Sequence, residues 1–229
     1  MQTVRIVRLD AVCAREVFAH LDDQQTIRVG ASEVQFVDAL KVGDEVTRTS
    51  TISDVQIKQG STGTLCFVTV NHEITTPRGV AIRDRQDIVY RDVPPPSSAP
   101  AAAVKPTAPP PTAQHRETHL ADPVLLFRYS ALTFNGHRIH YDRRYVTEVE
   151  GYPGLIVHGP LIATLLMDLL RRHAPNAFVT HFEFKAVRPT FDLHPFKLNG
   201  QPSADGKTVR LWAQDHEGWL TMQATATLA

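Results

Sequence analysis

The pattern of apolar and polar positions divides the chain into a strand-rich first part and a second part built around one helix. In the first part, runs rich in β-branched and aromatic residues predict strands at residues 46–58, 64–75 and 80–91. Turn-forming residues separate these runs, and their alternation is imperfect, as in strands covered partly on both faces. The first part therefore predicts an antiparallel sheet, and only residues 11–21 have a helical pattern there.

A Pro- and Ala-rich stretch at residues 93–114 marks the domain boundary. This composition offers little apolar surface to bury and favours extended polyproline conformations, so we predict a semi-stiff tether. It separates an N-terminal half, residues 1–92, from a C-terminal half, residues 115–229. A chain of this length has room for two small packed domains.

A helix with a broad apolar stripe is the clearest periodic signal, and the segment before it is predicted to be loop. The stripe repeats at helical spacing and must be buried. It consists of Leu161, Ile162, Leu165, Leu166, Leu169 and Leu170. Pro160 suits the first helical position, where its missing N–H would be unpaired anyway. Strands are predicted after the helix at residues 180–187, 196–199, 208–214 and 219–227.

Composition and charge exclude several classes of protein. The 24 Lys and Arg balance 24 Asp and Glu, so no basic surface for nucleic acid is expected. No apolar run approaches the ~20 residues that cross a bilayer, and no secretory signal is visible, so we expect a soluble, cytoplasmic protein. Cys13 and Cys66 lack the paired spacing of a zinc site, and we expect both to be reduced, buried and inert.

The densest polar cluster, residues 133–142, lies just ahead of the helix, and residues 154–160 lead directly into it. We expect the cluster and the helix start to converge. Histidine suits proton transfer near neutral pH because its ordinary pKa is about 6.5, and a helix start offers unpaired N–H groups to an anion. The combination favours enolate chemistry.

Residues 133–140 resemble the hydratase motif of the MaoC-like hydratases, in particular their branch of hydroxyacyl-thioester dehydratases and mesaconyl- or itaconyl-CoA hydratases. Thr133 and His140 match the motif. Asn135 stands where the motif has Asp, and His137 stands where it has Asn, as in the Asn-Gly-His-x-Ile-His variant of the dehydratase branch. The resemblance is strongest at residues 127–165 and covers most of the chain.

The resemblance implies an α+β double hot-dog fold, in which antiparallel sheet wraps around a central helix. The N-terminal half is short for a complete unit, because only residues 11–21 represent its helix, which leaves a degenerate unit open. Hot-dog sheets often pair edge to edge, so the resemblance also implies a homodimer.

The activity implied by the resemblance is the addition or removal of water across the α,β double bond of an acyl thioester. His140 would be the general base, Asn135 would hold the water or the leaving hydroxyl, and N–H groups around Gly159 would stabilise the enolate. The implied substrate-binding residues are Gly159, His158, His137, Tyr141 and Arg188, with Arg138 as an alternative for the arginine. An acyl-CoA or acyl-carrier thioester is the substrate, and no cofactor is expected.

Other interpretations of the same residues remain open. His137 and His140 could be structural, and their spacing also fits a metal pair, but no supporting set of carboxylate and histidine lies nearby, so no metal is expected. A non-catalytic acyl-thioester-binding or partner subunit is the alternative from another class. A hot-dog thioesterase is the alternative enzyme. No Gly-rich phosphate loop or serine nucleophile elbow is present.

Overall fold

The computed structural model describes residues 26–60, 63–91 and 106–229, which fall into two compact units. The first unit contains the N-terminal strands together with residues 179–183, and the second contains the rest of the described chain. The predicted helix at residues 11–21, Cys13 and residues 93–105 of the predicted linker lie outside the described residues. Cys66 is half-buried, and burial raises the pKa of its thiol.

Four antiparallel strands form the sheet of the first unit, in the order β2-β3-β4-β1. They are β1 (Thr26–Phe36), β2 (Thr47–Gly60), β3 (Gly63–Thr76) and β4 (Gly79–Arg91). The three predicted strands are confirmed to within two residues at each end. The sequence analysis missed β1, whose pairing shifts register between Val29 and Ala31 and so interrupts the alternation of faces. Gly79, with a φ of 119°, supplies the backbone conformation of the β3–β4 turn.

The second unit combines helices and turns with an antiparallel sheet in which β5, β7, β8 and β9 are neighbours in that order. The elements after the linker are β5 (His115–His119), α1 (Pro123–Thr133), a 3-10 turn (Arg138–His140), a π-helical turn (Tyr145–Val149), α2 (Gly159–His173), β6 (Val179–Ala186), β7 (Phe196–Pro202), β8 (Thr208–Gln214) and β9 (Leu220–Leu228). All of them belong to the second unit except the first five residues of β6, which belong to the first. The predicted strands after the helix are confirmed, and β7 extends three residues beyond its predicted end.

Helix α2 packs on β7, β8 and β9, and this contact forms the core of the second unit. Five of the six predicted stripe residues are buried, and Leu165 is half-buried. Leu166 is fully buried, and the strands on which α2 packs bury Leu198, Leu211 and Ala226. The helix begins one residue earlier than predicted, so Pro160 is its second residue, where a missing N–H is equally harmless.

The prediction of loop between the linker and α2 is wrong, because this segment contains α1. The side chain of Asp122 caps α1 by accepting a hydrogen bond from Leu125 N at 2.9 Å, and Pro123 is its first residue. Apolar side chains point in several directions, since Val124 and Phe127 are more than half exposed, so α1 shows no one-sided stripe. Among the described helices, none is long and apolar enough to cross a membrane.

The end of the Pro- and Ala-rich stretch runs along the second unit. Leu220 N donates to Thr107 O at 2.9 Å, and Gln114 N donates to Gly200 O at 3.0 Å. Strand β5 follows at once and pairs with β7 along the sheet edge. The sequence analysis missed β5, because its five residues are largely polar, as an edge strand allows.

Candidate active site

Three histidine rings meet at the start of α2. The rings of His140 and His158 stack with their centroids 3.8 Å apart and their planes 18° apart. The ring of His137 stands edge-on to His140, with centroids 5.6 Å apart. His140 ends the 3-10 turn, and His158 directly precedes α2. The predicted convergence of the polar loop with the helix start is therefore confirmed.

The ring of His140 is oriented by a backbone carbonyl. Its side chain is buried, with 8% of the residue exposed, and its Nδ1 lies 2.7 Å from Ile156 O. Since a carbonyl can only accept, Nδ1 carries the hydrogen, and Nε2 of the neutral ring keeps its lone pair. Ile156 is fixed in turn, because its N–H donates to Ile139 O at 3.0 Å. This arrangement leaves Nε2 able to accept a proton.

His158 is fully buried beneath His140, and a hydroxyl holds it there. Its Nε2 lies 2.8 Å from Ser130 Oγ, and its ring centroid lies 4.8 Å from that of Tyr129. Its Nδ1 is buried without a hydrogen-bond partner. The sequence analysis missed Ser130 and Tyr129 because they lie on α1. A signal was present, since Leu126 and Ser130 are four apart and share the buried face of that helix.

Burial keeps both stacked rings neutral. It lowers the pKa of His140 from 6.5 to about 4, and the nearby His137 lowers it further, against the hydrogen bond to Ile156. It also lowers the pKa of His158 to about 3, with His140 and His137 as additional causes. At neutral pH the cluster therefore contains uncharged imidazoles that can accept a proton.

The segment that presents the Ile156 carbonyl is tied to the loop after β6. Val157 N donates to Thr190 O at 2.8 Å, and Asp192 N donates to Leu155 O at 3.0 Å. The buried carboxylate of Asp192 also forms an ion pair with Arg143, just beyond the 3-10 turn. Hydrogen bonds from the backbone and an ion pair between side chains therefore fix the segment that carries the Ile156 carbonyl, which orients His140.

The start of α2 presents a small number of unpaired amide groups. The first bond within the helix runs from Ile162 N to His158 O at 3.1 Å. Pro160 has no N–H, so Gly159 and Leu161 carry the N–H groups that the first turn does not use. They lie beside His158 and carry the positive end of the helix dipole, which suits a developing oxyanion.

Asn135 is joined to the histidine cluster through the loop. Its Oδ1 accepts a hydrogen bond from His137 N at 3.0 Å, which closes a local turn. The oxygen end of the amide is therefore engaged, and the NH₂ group remains as a donor for a ligand.

The other predicted binding residues have contacts of a different kind. Tyr141 Oη donates to Gly136 O at 2.8 Å. Arg188 Nη1 lies 3.2 Å from the carboxylate of Asp215, and Arg138 forms an ion pair with Asp142 at 2.7 Å. Their roles toward a substrate stay predictions.

The chain is similar to known acyl-thioester hydratases and dehydratases. The profile of the hydroxyacyl-thioester dehydratase type 2 family matches residues 18–192. The mesaconyl-C(4)-CoA hydratase of Chloroflexus aurantiacus is 43% identical over 198 residues, which cover 86% of this chain and 68% of that protein. The mitochondrial hydroxyacyl-thioester dehydratase type 2 of Schizosaccharomyces pombe is 37% identical over 87 residues, which cover 37% of this chain and 29% of that protein.

The fold is similar to that of solved MaoC-like dehydratases. The enzyme from Phytophthora capsici superposes with a TM-score of 0.69 at 13% identity, over 92% of this chain and 74% of that one. Likeness at this low identity concerns the fold alone, and it confirms the predicted double hot-dog architecture. By sequence, the chain belongs to the hydroxyacyl-thioester dehydratase type 2 family of MaoC-like hydratases, and it is a hydro-lyase of the acyl-thioester hydratase and dehydratase class.

Proposed function

We propose that the chain adds water reversibly to the α,β double bond of a short, branched dicarboxyl enoyl-CoA, with His140 as the base. One observation carries the role of His140: its buried ring donates from Nδ1 to Ile156 O, which leaves the lone pair of Nε2 for a proton. The acyl group is proposed from the 43% identity to a mesaconyl-C(4)-CoA hydratase.

In the hydration direction, Nε2 of His140 removes a proton from water while the water oxygen bonds to the β-carbon. The double-bond electrons move toward the thioester carbonyl, whose oxygen becomes negative. The N–H groups of Gly159 and Leu161 stabilise this oxygen, an effect worth roughly 10²–10³ in rate per donor in other enzymes. The imidazolium then returns its proton to the α-carbon, so one water is added and the base is regenerated.

Asn135 completes the proposed machinery as a hydrogen-bond donor. Because its Oδ1 is engaged by His137 N, its NH₂ group would orient the attacking water or hold the leaving hydroxyl. An amide cannot take up a proton at neutral pH, so both proton transfers fall to His140.

An enoyl-CoA series tests this function directly. Loss of the conjugated thioester absorbance is followed for the purified chain, for His140→Ala and for the matched control His194→Ala, an exposed histidine of the same unit. We expect His140→Ala to lower kcat by roughly 10²–10⁴, the usual contribution of a general base, and the control to remain active. Full activity of His140→Ala would contradict the assignment.

The same assay separates the alternatives. Release of free thiol, detected with a thiol reagent, would indicate a thioesterase, and binding of enoyl-CoA without turnover would indicate a binding subunit. We also propose a homodimer, which light scattering tests independently of activity.

A further inference from the structure

Stacked histidine pairs recur in the part of the chain that the structure describes, but one of them differs from the others. The three pairs have centroids 3.8–3.9 Å apart. They are His140 with His158, His115 with His173, and His194 with His216. In the second and third pairs at least one ring is exposed. Both rings are buried only in the first pair, at the proposed active site.

In the buried pair, each ring is fixed through one of its nitrogens by a different element. Ile156, before α2, holds His140 through Nδ1 at 2.7 Å, and Ser130, on α1, holds His158 through Nε2 at 2.8 Å. An imidazole rotates easily about its last side-chain bond, because that torsion has broad minima. The ring of His158 packs against His140 and is itself held by Ser130, so it restricts this rotation.

The choice of residue at position 158 has a cost. The buried Nδ1 of His158 has no hydrogen-bond partner among the described residues, and a buried polar atom left unsatisfied in this way destabilises the fold. A phenylalanine would also stack on His140 without this cost. Unlike phenylalanine, histidine also has a ring nitrogen, Nε2, that bonds to Ser130.

We propose that His158 is a positioning residue for the reaction. Ser130 fixes the ring of His158, and that ring fixes the plane of His140, so that Nε2 of His140 faces the substrate throughout the reaction. This inference rests on the proposed function of His140, and it gives His158 a role distinct from substrate binding.

Three variants distinguish the effect of the stacked His158 ring from the effect of its hydrogen bond to Ser130. Ser130→Ala removes only the hydroxyl, His158→Phe keeps a stacked ring without the bond, and His158→Gln keeps a polar group near Nε2 without the ring. His194→Phe makes the same substitution in an exposed pair and serves as the control. kcat and KM are measured for each with the best substrate of the enoyl-CoA series.

We expect Ser130→Ala and His158→Phe to lower kcat roughly tenfold, which corresponds to about 1.4 kcal/mol, the order of one net hydrogen bond. KM should change less than about twofold, since substrate contacts are intact. His158→Gln should lower kcat by more than about tenfold, because it removes the ring that packs against His140 even where its amide replaces the bond to Ser130. Wild-type kcat in Ser130→Ala and His158→Phe would overturn the proposal. A rise in KM at unchanged kcat would also overturn it, because that result indicates direct substrate contact.

A second measurement does not require turnover. Long-range ¹H–¹⁵N correlation spectra report the tautomer and mobility of each histidine ring. We expect a single His140 tautomer, protonated at Nδ1, in the wild type, and exchange-broadened or mixed signals in Ser130→Ala and His158→Phe. If the wild-type chain turns over no substrate of the enoyl-CoA series, the proposed function fails, and unchanged His140 signals in those two variants would overturn the positioning role separately.

Discussion

The burial of two neutral histidines makes stability depend on pH in a direction that can be worked out. The folded pKa of His140 is about 4 and that of His158 about 3, whereas both rings have a pKa of 6.5 when unfolded. Between these values the unfolded chain binds more protons than the folded chain. The contribution to stability is therefore complete above pH 6.5 and is lost as the pH falls toward the folded pKa values.

The size of this loss of stability depends on how far the pH falls below the unfolded pKa of 6.5 toward the folded values. At about 1.4 kcal/mol per pH unit, each ring loses on the order of 2 kcal/mol between pH 7 and pH 5. Urea unfolding at the two pH values measures the loss in the wild type, in His140→Gln and in His158→Gln. We expect each variant to be less stable than the wild type at both pH values, but the difference in unfolding free energy between pH 7 and pH 5 should shrink by about 2 kcal/mol per removed ring.

The comparison with variants cancels the contributions of other titrating groups. His194→Gln removes an exposed histidine of the same unit and should leave the pH-dependent loss of the wild type unchanged. An equal loss in the wild type and in His140→Gln would refute the reasoning, since it would show that the ring of His140 already protonates near pH 6.5 in the folded state.

Further predictions concern the helix start and its support. Gly159→Pro removes one N–H at the first helical position, where proline is favoured, so we expect near-normal thermal stability but a kcat reduced roughly 10²-fold or more, while Gly159→Ala keeps the N–H and serves as control. In Gly154→Ala, the new Cβ would lie 2.8 Å from Asp192 Oδ1, so urea unfolding should show a loss of about 1–3 kcal/mol. Leu166→Ala should cost about 2–5 kcal/mol of unfolding free energy through the cavity it leaves against the sheet. Asn135→Ala should lower kcat in the enoyl-CoA assay, while Asn135→Asp, which keeps the oxygen that accepts from His137 N, should fold normally by circular dichroism.

Much of the fold could be predicted because its strongest elements have one-sided or strand-like patterns. Helix α2 shows an apolar stripe because it packs along one side of a sheet, and β2, β3 and β4 show β-branched runs between clear turns. Helix α1 could not be identified in this way, since its apolar residues point in several directions and only Leu126 and Ser130 are buried. The Asp-Pro pair at its start was the available signal.

The sequence analysis named several residues that meet at the start of α2, but it missed Ser130 and Tyr129 and gave none of the contacts. The spacing of the motif pointed to His140, and the sequence before α2 pointed to His158 and Gly159, whose roles stay predictions. The stacking of two rings depends on where the 3-10 turn meets the helix start, which no local pattern specifies. The Ser130 bond depends on α1, and the Ile156 carbonyl is a backbone group that carries no mark in the sequence.

The burial of His140 makes it a weak base, and the proposed reaction has to compensate for this. With a pKa of about 4, the Nε2 atom of His140 is free to accept a proton at neutral pH, but burial disfavours the imidazolium. In the proposed hydration, that imidazolium would form together with an enolate, and two opposite charges attract strongly where water is excluded. A bound enolate-like anion should therefore raise the pKa of His140, and an NMR titration with such an analogue measures the shift. An unchanged His140 pKa in the complex would show that the anion does not bind beside this ring.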